Sequence, residues 1–328
     1  MKHLERALYP KNEVWRYIVL FLIAFIGGQL IGSTPLGIAI LAKMFTLGNI
    51  ADITPENAMD LSVYGLSNNL GLALMMFSFV GIFFTFALLV KPFHGRTLKE
   101  TINGRKHVRW NRVWMGILVW GIIMLIQTAI GLLTAAPGDF EFRFNPSVFL
   151  VLVLIVIIIV PFQTSAEEIL FRGYLAQGAA KWTRSRWWAL IIPSVLFALM
   201  HMANPEVKEF GFWLAMPQYL IMGLMLGIIS ILDDGIEIAL GIHFINNALS
   251  AVLITHESSV LQTDALFLVH NIDPKSDLIV TAVASIIVVL VLQRIYKWDF
   301  GIMNKKVEHE MPPIPSMQTE VVESVQDV

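Results

Sequence analysis

The sequence predicts an all-α fold, a polytopic transmembrane helix bundle of about eight spans with both termini cytoplasmic. Three observations carry that expectation. Mean hydropathy is +0.68, and 56% of the 328 residues are hydrophobic against 15% charged, far from the balance of a soluble domain. The apolar residues are gathered into blocks of about 20, the length that crosses a hydrocarbon layer about 30 Å thick. The positive charges are one-sided: of the 23 Lys and Arg residues, all but Lys43, Arg143, Lys208 and Lys275 fall before the first block, in 91–112, between Arg172 and Arg186, or from Arg294 onward. Placing those four segments on one side satisfies the positive-inside preference.

The blocks lie at about 16–42, 66–90, 113–134, 147–170, 187–203, 213–232, 237–256 and 277–296. The first follows Lys2, Arg6, Lys11 and Arg16 and runs on without a small-residue cleavage site, so it reads as a retained span and not as a signal peptide. The seventh is the least regular, because it begins directly after Asp233, Asp234 and Gly235 and contains Glu237 and His243. Trp15, Trp110, Trp187, Trp188 and Trp298 stand at predicted span ends, where indole rings anchor at the interface. Gly28 with Gly32, and Gly223 with Gly227, are spaced for close helix packing.

These blocks divide the chain into an N-terminal three-span region, 1–144, a core, 145–256, a loop and last span, 257–298, and a polar tail, 299–328. With Pro312, Pro313 and Pro315 the tail reads as disordered. The basic 91–112 loop is an orientation signal that could touch anionic lipid heads. It is not a nucleic-acid patch, and the partners expected are the bilayer and a protein or peptide. The chain has no cysteine, which excludes disulfides, thiolate metal sites and a cysteine nucleophile.

The core opens on Gln163 to Leu175, QTSAEEILFRGYL, at the end of a stretch, Val148 to Phe162, that carries no charge. Glu167, Glu168 and Arg172 at an apolar boundary each cost about 2.5–3.5 kcal/mol on insertion scales. On a helix Glu168 and Arg172 are four apart and can pair, whereas Glu167 is turned about 100° away and is left free. The plain alternative is a cytoplasmic helix end where charges begin.

Two further polar groups interrupt the apolar blocks: His201 in SVLFALMH and His243 in IALGIHFINNAL. Asn247 lies four residues after His243 and shares its helix face, with Asn246 on a neighbouring direction. A free carboxylate, a paired one, two imidazoles and an amide, with no Ser-Lys or Cys-His nucleophile, suggest water as the attacking group. Glu and His can activate it, and His and Asn can donate to an oxyanion. Alternatively Glu167, Glu168, His201 and His243 could hold Zn²⁺, and sequence spacing does not choose between the two.

EEILFR, FALMH and HFINN, in this order and spacing, resemble the EExxxR, FxxxH and HxxxN elements of the CPBP family. These are the CAAX-protease and bacteriocin-processing intramembrane proteases, also called Abi or Rce1-like. The resemblance covers about residues 145–255. It implies an all-helical membrane endopeptidase in which Glu167 with His201 activates water, His243 with Asn247 stabilises the oxyanion, and Glu168 with Arg172 forms a structural pair. The family has often been called metalloproteases, yet the glutamate mechanism needs no metal and no HExxH helix is present.

These assignments leave a conflict of depth. If span four ends near 170, Glu167 is at the cytoplasmic end while His201 lies about 21 Å into span five. Either span five enters deeper, or span four extends to about Ala180. The alternative functions are a proton- or ion-coupled transporter, for which neither inverted repeats nor matching broken helices are found, and an immunity or binding scaffold without turnover.

Overall fold

The computed structural model describes residues 2–9, 11–47, 61–256, 258–259 and 262–308, and eight helices within it account for the eight apolar blocks. They are α1 (Val14–Thr46), α2 (Asn68–His94), α3 (Trp110–Thr134), α4 (Pro146–Thr183), α5 (Arg186–Met200), α6 (Phe212–Leu232), α7 (Glu237–Leu253) and α8 (Pro274–Tyr296). Six are long and apolar enough to cross a membrane, while α5 and α7 are shorter. Large aliphatic side chains such as Leu88, Leu133 and Ile286 face outward, a surface suited to lipid and not to water. The protein is a multi-pass, all-helical membrane bundle.

Local chemistry starts and stops these helices where the sequence changes. Ser67, Asn145 and Ser185 accept hydrogen bonds from the backbone N–H groups of Leu70, Val148 and Trp188, capping α2, α4 and α5. Pro146 and Pro274 occupy first-turn positions, where the missing N–H costs nothing. Gly95, at φ 66°, ends α2 in the left-handed conformation.

Close backbone contacts lock the bundle. α1 packs on α2 where Gly28 and Gly32 meet Ile82 and Ser78, and a Cβ at Gly28 would lie 2.6 Å from the Ile82 Cα. Gly223 and Gly227 of α6 lie against Ser194 and Leu190 of α5. The sequence did not single out the tightest crossing, α3 against α7, where a Cβ at Gly116 would be 2.3 Å from the Ile238 carbonyl oxygen and one at Gly241 2.0 Å from that of Val113. α7 also packs on α4, as does α2, so both crossings join the N-terminal spans to the core.

Three short strands add a small sheet at the end of the bundle away from the α4–α5 turn. β1 (Phe140–Phe142) runs antiparallel to β3 (Phe267–Val269), and β2 (Ile254–Thr255) pairs parallel with the other edge of β3.

Several sequence expectations are corrected. Span four does not stop near 170: α4 continues to Thr183 through a π-helical segment, Ile169–Leu175. Arg172 is therefore inside the bundle and not in a basic loop. The basic 91–112 segment does not simply face outward, because Arg105 pairs with Asp234 at 2.8 Å and Arg109 with Glu237 at 2.6 Å and Asp233 at 2.9 Å. Burial pushes the Asp233 carboxyl up to about 6, against the pull of Arg109 and Arg112.

Trp298 is buried and donates to Asp233, whereas the other four tryptophans of the expected interface set are exposed. The tail begins later than residue 299. Met303 and Val307 are buried, Arg186 donates to the carbonyls of Lys305 and Lys306, and Trp187 donates to Asn304. The rest of the expected tail, 309–328, lies outside the described residues.

Candidate active site

The extension of α4 removes the conflict of depth. The chain reverses between α4 and α5 through Arg184, whose φ of 57° is left-handed. Glu167 lies 16 residues before Thr183, about 24 Å along the helix, and His201 lies 15 residues after Arg186, about 22 Å. Two antiparallel helices joined by a tight turn therefore carry both residues to similar depth. The π-helical turn starts one residue after Glu168, a kind of irregularity frequent at functional sites.

Glu168 is fully buried and its Oε1 accepts from Arg172 Nη1 at 2.7 Å and from His243 Nδ1 at 2.7 Å. The guanidinium carbon of Arg172 sits 4.1 Å from the centroid of the buried Phe197 ring. Because Nδ1 of His243 faces a carboxylate it carries a proton, and Nε2 is turned toward Glu167 Oε2 at 3.6 Å and Asn247 Nδ2 at 3.4 Å. Glu167 remains 8% exposed, against 0% for Glu168. Its Oε1 accepts from Gln163 Nε2 at 2.9 Å, while its Oε2, like that of Glu168, is buried without a hydrogen-bond partner in the protein.

His201 caps the C-terminus of α5. Its Nδ1–H donates to the Phe197 carbonyl at 2.8 Å, which leaves the Nε2 lone pair free to accept. The ring stacks on Tyr219 at a centroid distance of 4.4 Å and packs on Phe197 at 4.6 Å. Phe197 also contacts His243 edge-on at 6.2 Å. The fold thus joins Glu167, Glu168, Arg172, His243 and Asn247 directly. His201 is linked to them by one shared aromatic ring, and no hydrogen bond or ion pair ties it to either carboxylate among the described residues.

Sequence reasoning missed the residues that complete the group. Gln163 opens the noted stretch but was given no role, although it sits four residues before Glu167 and so on its face. Trp120 lies in the middle of α3, away from the interfacial positions assigned to other tryptophans, and its Nε1–H donates to Asn246 Oδ1 at 3.0 Å. Tyr219, the partner in the His201 stack, also accepts a hydrogen bond from Asn204. A tryptophan or amide inside an otherwise apolar span was the available signal.

The four candidate zinc ligands do not fit a metal centre in this arrangement. Glu168 Oε1 already holds a guanidinium, whose charge opposes a cation, and His201 is turned to Phe197 and Tyr219. Among the described residues no three or more His, Asp or Glu side chains are grouped to hold a metal ion. What the site offers is a carboxylate oxygen without a hydrogen-bond partner, an imidazole acceptor, and a second imidazole beside an amide donor, all enclosed by apolar helices.

Comparison with known proteins finds one family over the core. The family described as "Type II CAAX prenyl endopeptidase Rce1-like" matches residues 146–249, which run from the start of α4 to two residues beyond Asn247. Over 265 residues the chain is 27% identical to the "Uncharacterized protein YyaK" of Bacillus subtilis (strain 168), covering 79% of this chain and 84% of that protein. No solved structure matches it. All three motif elements lie inside the matched segment, so over residues 146–249 the chain is similar to the Rce1-like family.

Proposed function

We propose that this protein is an intramembrane endopeptidase that hydrolyses a peptide bond of a membrane-associated or secreted protein or peptide, with both of its own termini cytoplasmic. The observation that carries the reading is the contrast between adjacent carboxylates. Glu168 is fully buried and its Oε1 is engaged by both Arg172 and His243, whereas Glu167 keeps slight exposure and receives its hydrogen bond from the neutral amide of Gln163.

In this reading Glu167 Oε2 takes a proton from water while the His201 Nε2 lone pair helps to orient that water. The water oxygen attacks the peptide carbonyl carbon. The oxyanion that forms is met by the second N–H of Asn247 and by His243, which can carry protons on both nitrogens between the two carboxylates. Donors already in place in a water-poor site stabilise such a charge far better than they would in water. Glu167 then returns its proton to the leaving amine as the C–N bond breaks, giving a carboxylic acid and an amine.

The experiment is to incubate purified protein with a membrane proteome and compare new peptide termini with those produced by Glu167→Gln. Termini that depend on Glu167 are expected. Identical sets from both proteins would overturn the reading in favour of a scaffold without turnover.

A further inference from the structure

Five side chains from three helices form an unbroken line of hydrogen bonds that ends on Glu167. Trp120 Nε1 donates to Asn246 Oδ1 at 3.0 Å, Asn246 Nδ2 to Asn247 Oδ1 at 3.0 Å, Asn247 Nδ2 to Gln163 Oε1 at 2.9 Å, and Gln163 Nε2 to Glu167 Oε1 at 2.9 Å. The direction of the line is determined at both ends. An indole N–H can only donate and a carboxylate can only accept, so each of the three amides between them has one workable orientation. Reversing any one of them would place oxygen against oxygen or NH₂ against NH₂.

We infer that Trp120, Asn246 and Gln163 are positioning residues that act through this one-way line on the two groups assigned to chemistry at its end. The line has two consequences. It commits Oε1 of Glu167 to Gln163, so that Oε2, buried and without a hydrogen-bond partner, is the oxygen left to take a proton. It also commits one N–H of Asn247 to Gln163, leaving the other, only loosely engaged with His243 at 3.4 Å, to turn toward an oxyanion.

The packing holds the line in place. Trp120 and Gln163 are buried, and the Gly116–Gly241 crossing of α3 and α7 lies about one turn from the Trp120–Asn246 bond on each helix. Neither Trp120 nor Asn246 touches the carboxylates directly, so their influence is orientational. A chain of hydrogen bonds in a low-dielectric interior is worth more than its separate links.

The inference rests on the proposed peptidase reading, and the test separates the two. A quenched-fluorescent peptide spanning one Glu167-dependent cleavage site is assayed with full-length protein in detergent micelles. The variants are Glu167→Gln, Gln163→Met, Gln163→Glu and Trp120→Phe, each checked for its thermal midpoint. Gln163→Met is expected to lower kcat by about tenfold or more, the size of one hydrogen bond to a charged group, with KM unchanged. Trp120→Phe, which keeps the ring and removes a single donor, is expected to lower kcat severalfold without moving the midpoint. Gln163→Glu keeps the shape but donates to Glu167 only when protonated, so its kcat relative to the parent should rise as the pH is lowered from about 8 to about 6. A role limited to packing would give no such recovery.

If Glu167→Gln is inactive while Gln163→Met and Trp120→Phe keep kcat within about twofold of the parent, the inference falls and the peptidase reading stands. If Glu167→Gln cleaves like the parent, both fall.

Discussion

His243 donates its Nδ1–H at 2.7 Å to the same Glu168 oxygen that Arg172 engages. That contact couples the structural pair to the reacting end of the site, because the position of the His243 Nε2 depends on where Glu168 is held. Glu168 is thus more than a neutralised charge one residue from the base, since it sets the tilt and the proton of the imidazole between them.

Arg172→Ala should be strongly destabilising. It leaves Glu168 fully buried without its cation, and breaking a buried pair in this way costs about 3–5 kcal/mol. Thermal unfolding in detergent and yield of folded protein measure the effect. Stability within about 1 kcal/mol of the parent would show that the pair does not hold the site together.

Glu167→Gln should leave the protein folded and reduce peptide cleavage by about 10²–10⁴, the usual contribution of a general base, with the loss at the upper end because Glu168, the other carboxylate of the group, is held by Arg172 and His243. Glu168→Gln should instead reduce stability along with activity. Single-turnover rates normalised to folded protein separate the two, and full activity in Glu167→Gln with none in Glu168→Gln would reverse the assignment.

Dialysis against a strong chelator should leave cleavage unchanged, and added zinc should not raise it. The ground is the donor arrangement, in which the candidate ligands are committed to Arg172, Phe197 and one another. Activity lost on chelation and regained with zinc would mean that the side chains rearrange around a metal.

Reporter fusions at residues 100 and 310 should be cytoplasmic and one at residue 140 external, as the distribution of Lys and Arg requires. External labelling of residue 100 would invert the topology. The internal pairing of Arg105 and Arg109 makes this a sharper test than a count of charges, because a charge paired within the folded bundle contributes less field at the membrane surface.

The legible part of the site was local. Four-residue spacing on a helix was enough to expect contact between Glu168 and Arg172 and a shared face for His243 and Asn247, and the structure contains both contacts. The depth of His201 was not legible in that way. Charges beginning at Arg172 suggested a span end near 170, with extension to about Ala180 as one of two ways to reconcile the depths, and the partner atoms supplied by Glu168 and the Phe197 ring let the guanidinium stay inside while the helix continues to Thr183. Gln163 and Trp120 were overlooked for a related reason, since the function of a buried amide or indole N–H depends on the group opposite, and those groups lie 84 and 126 residues away in the chain.

The sequence by itself determined the membrane class, the eight apolar helices and the residue types available for chemistry, because hydrophobic length and helical periodicity are properties of consecutive residues. The tertiary structure decided which imidazole nitrogen faces Glu167, that residues 299–308 dock on the bundle, and that a line of amides runs from Trp120 to Glu167. Each of these depends on pairing distant polar groups inside an apolar medium, where an unmatched donor or acceptor is costly and the partner is chosen by helix packing and not by sequence neighbourhood.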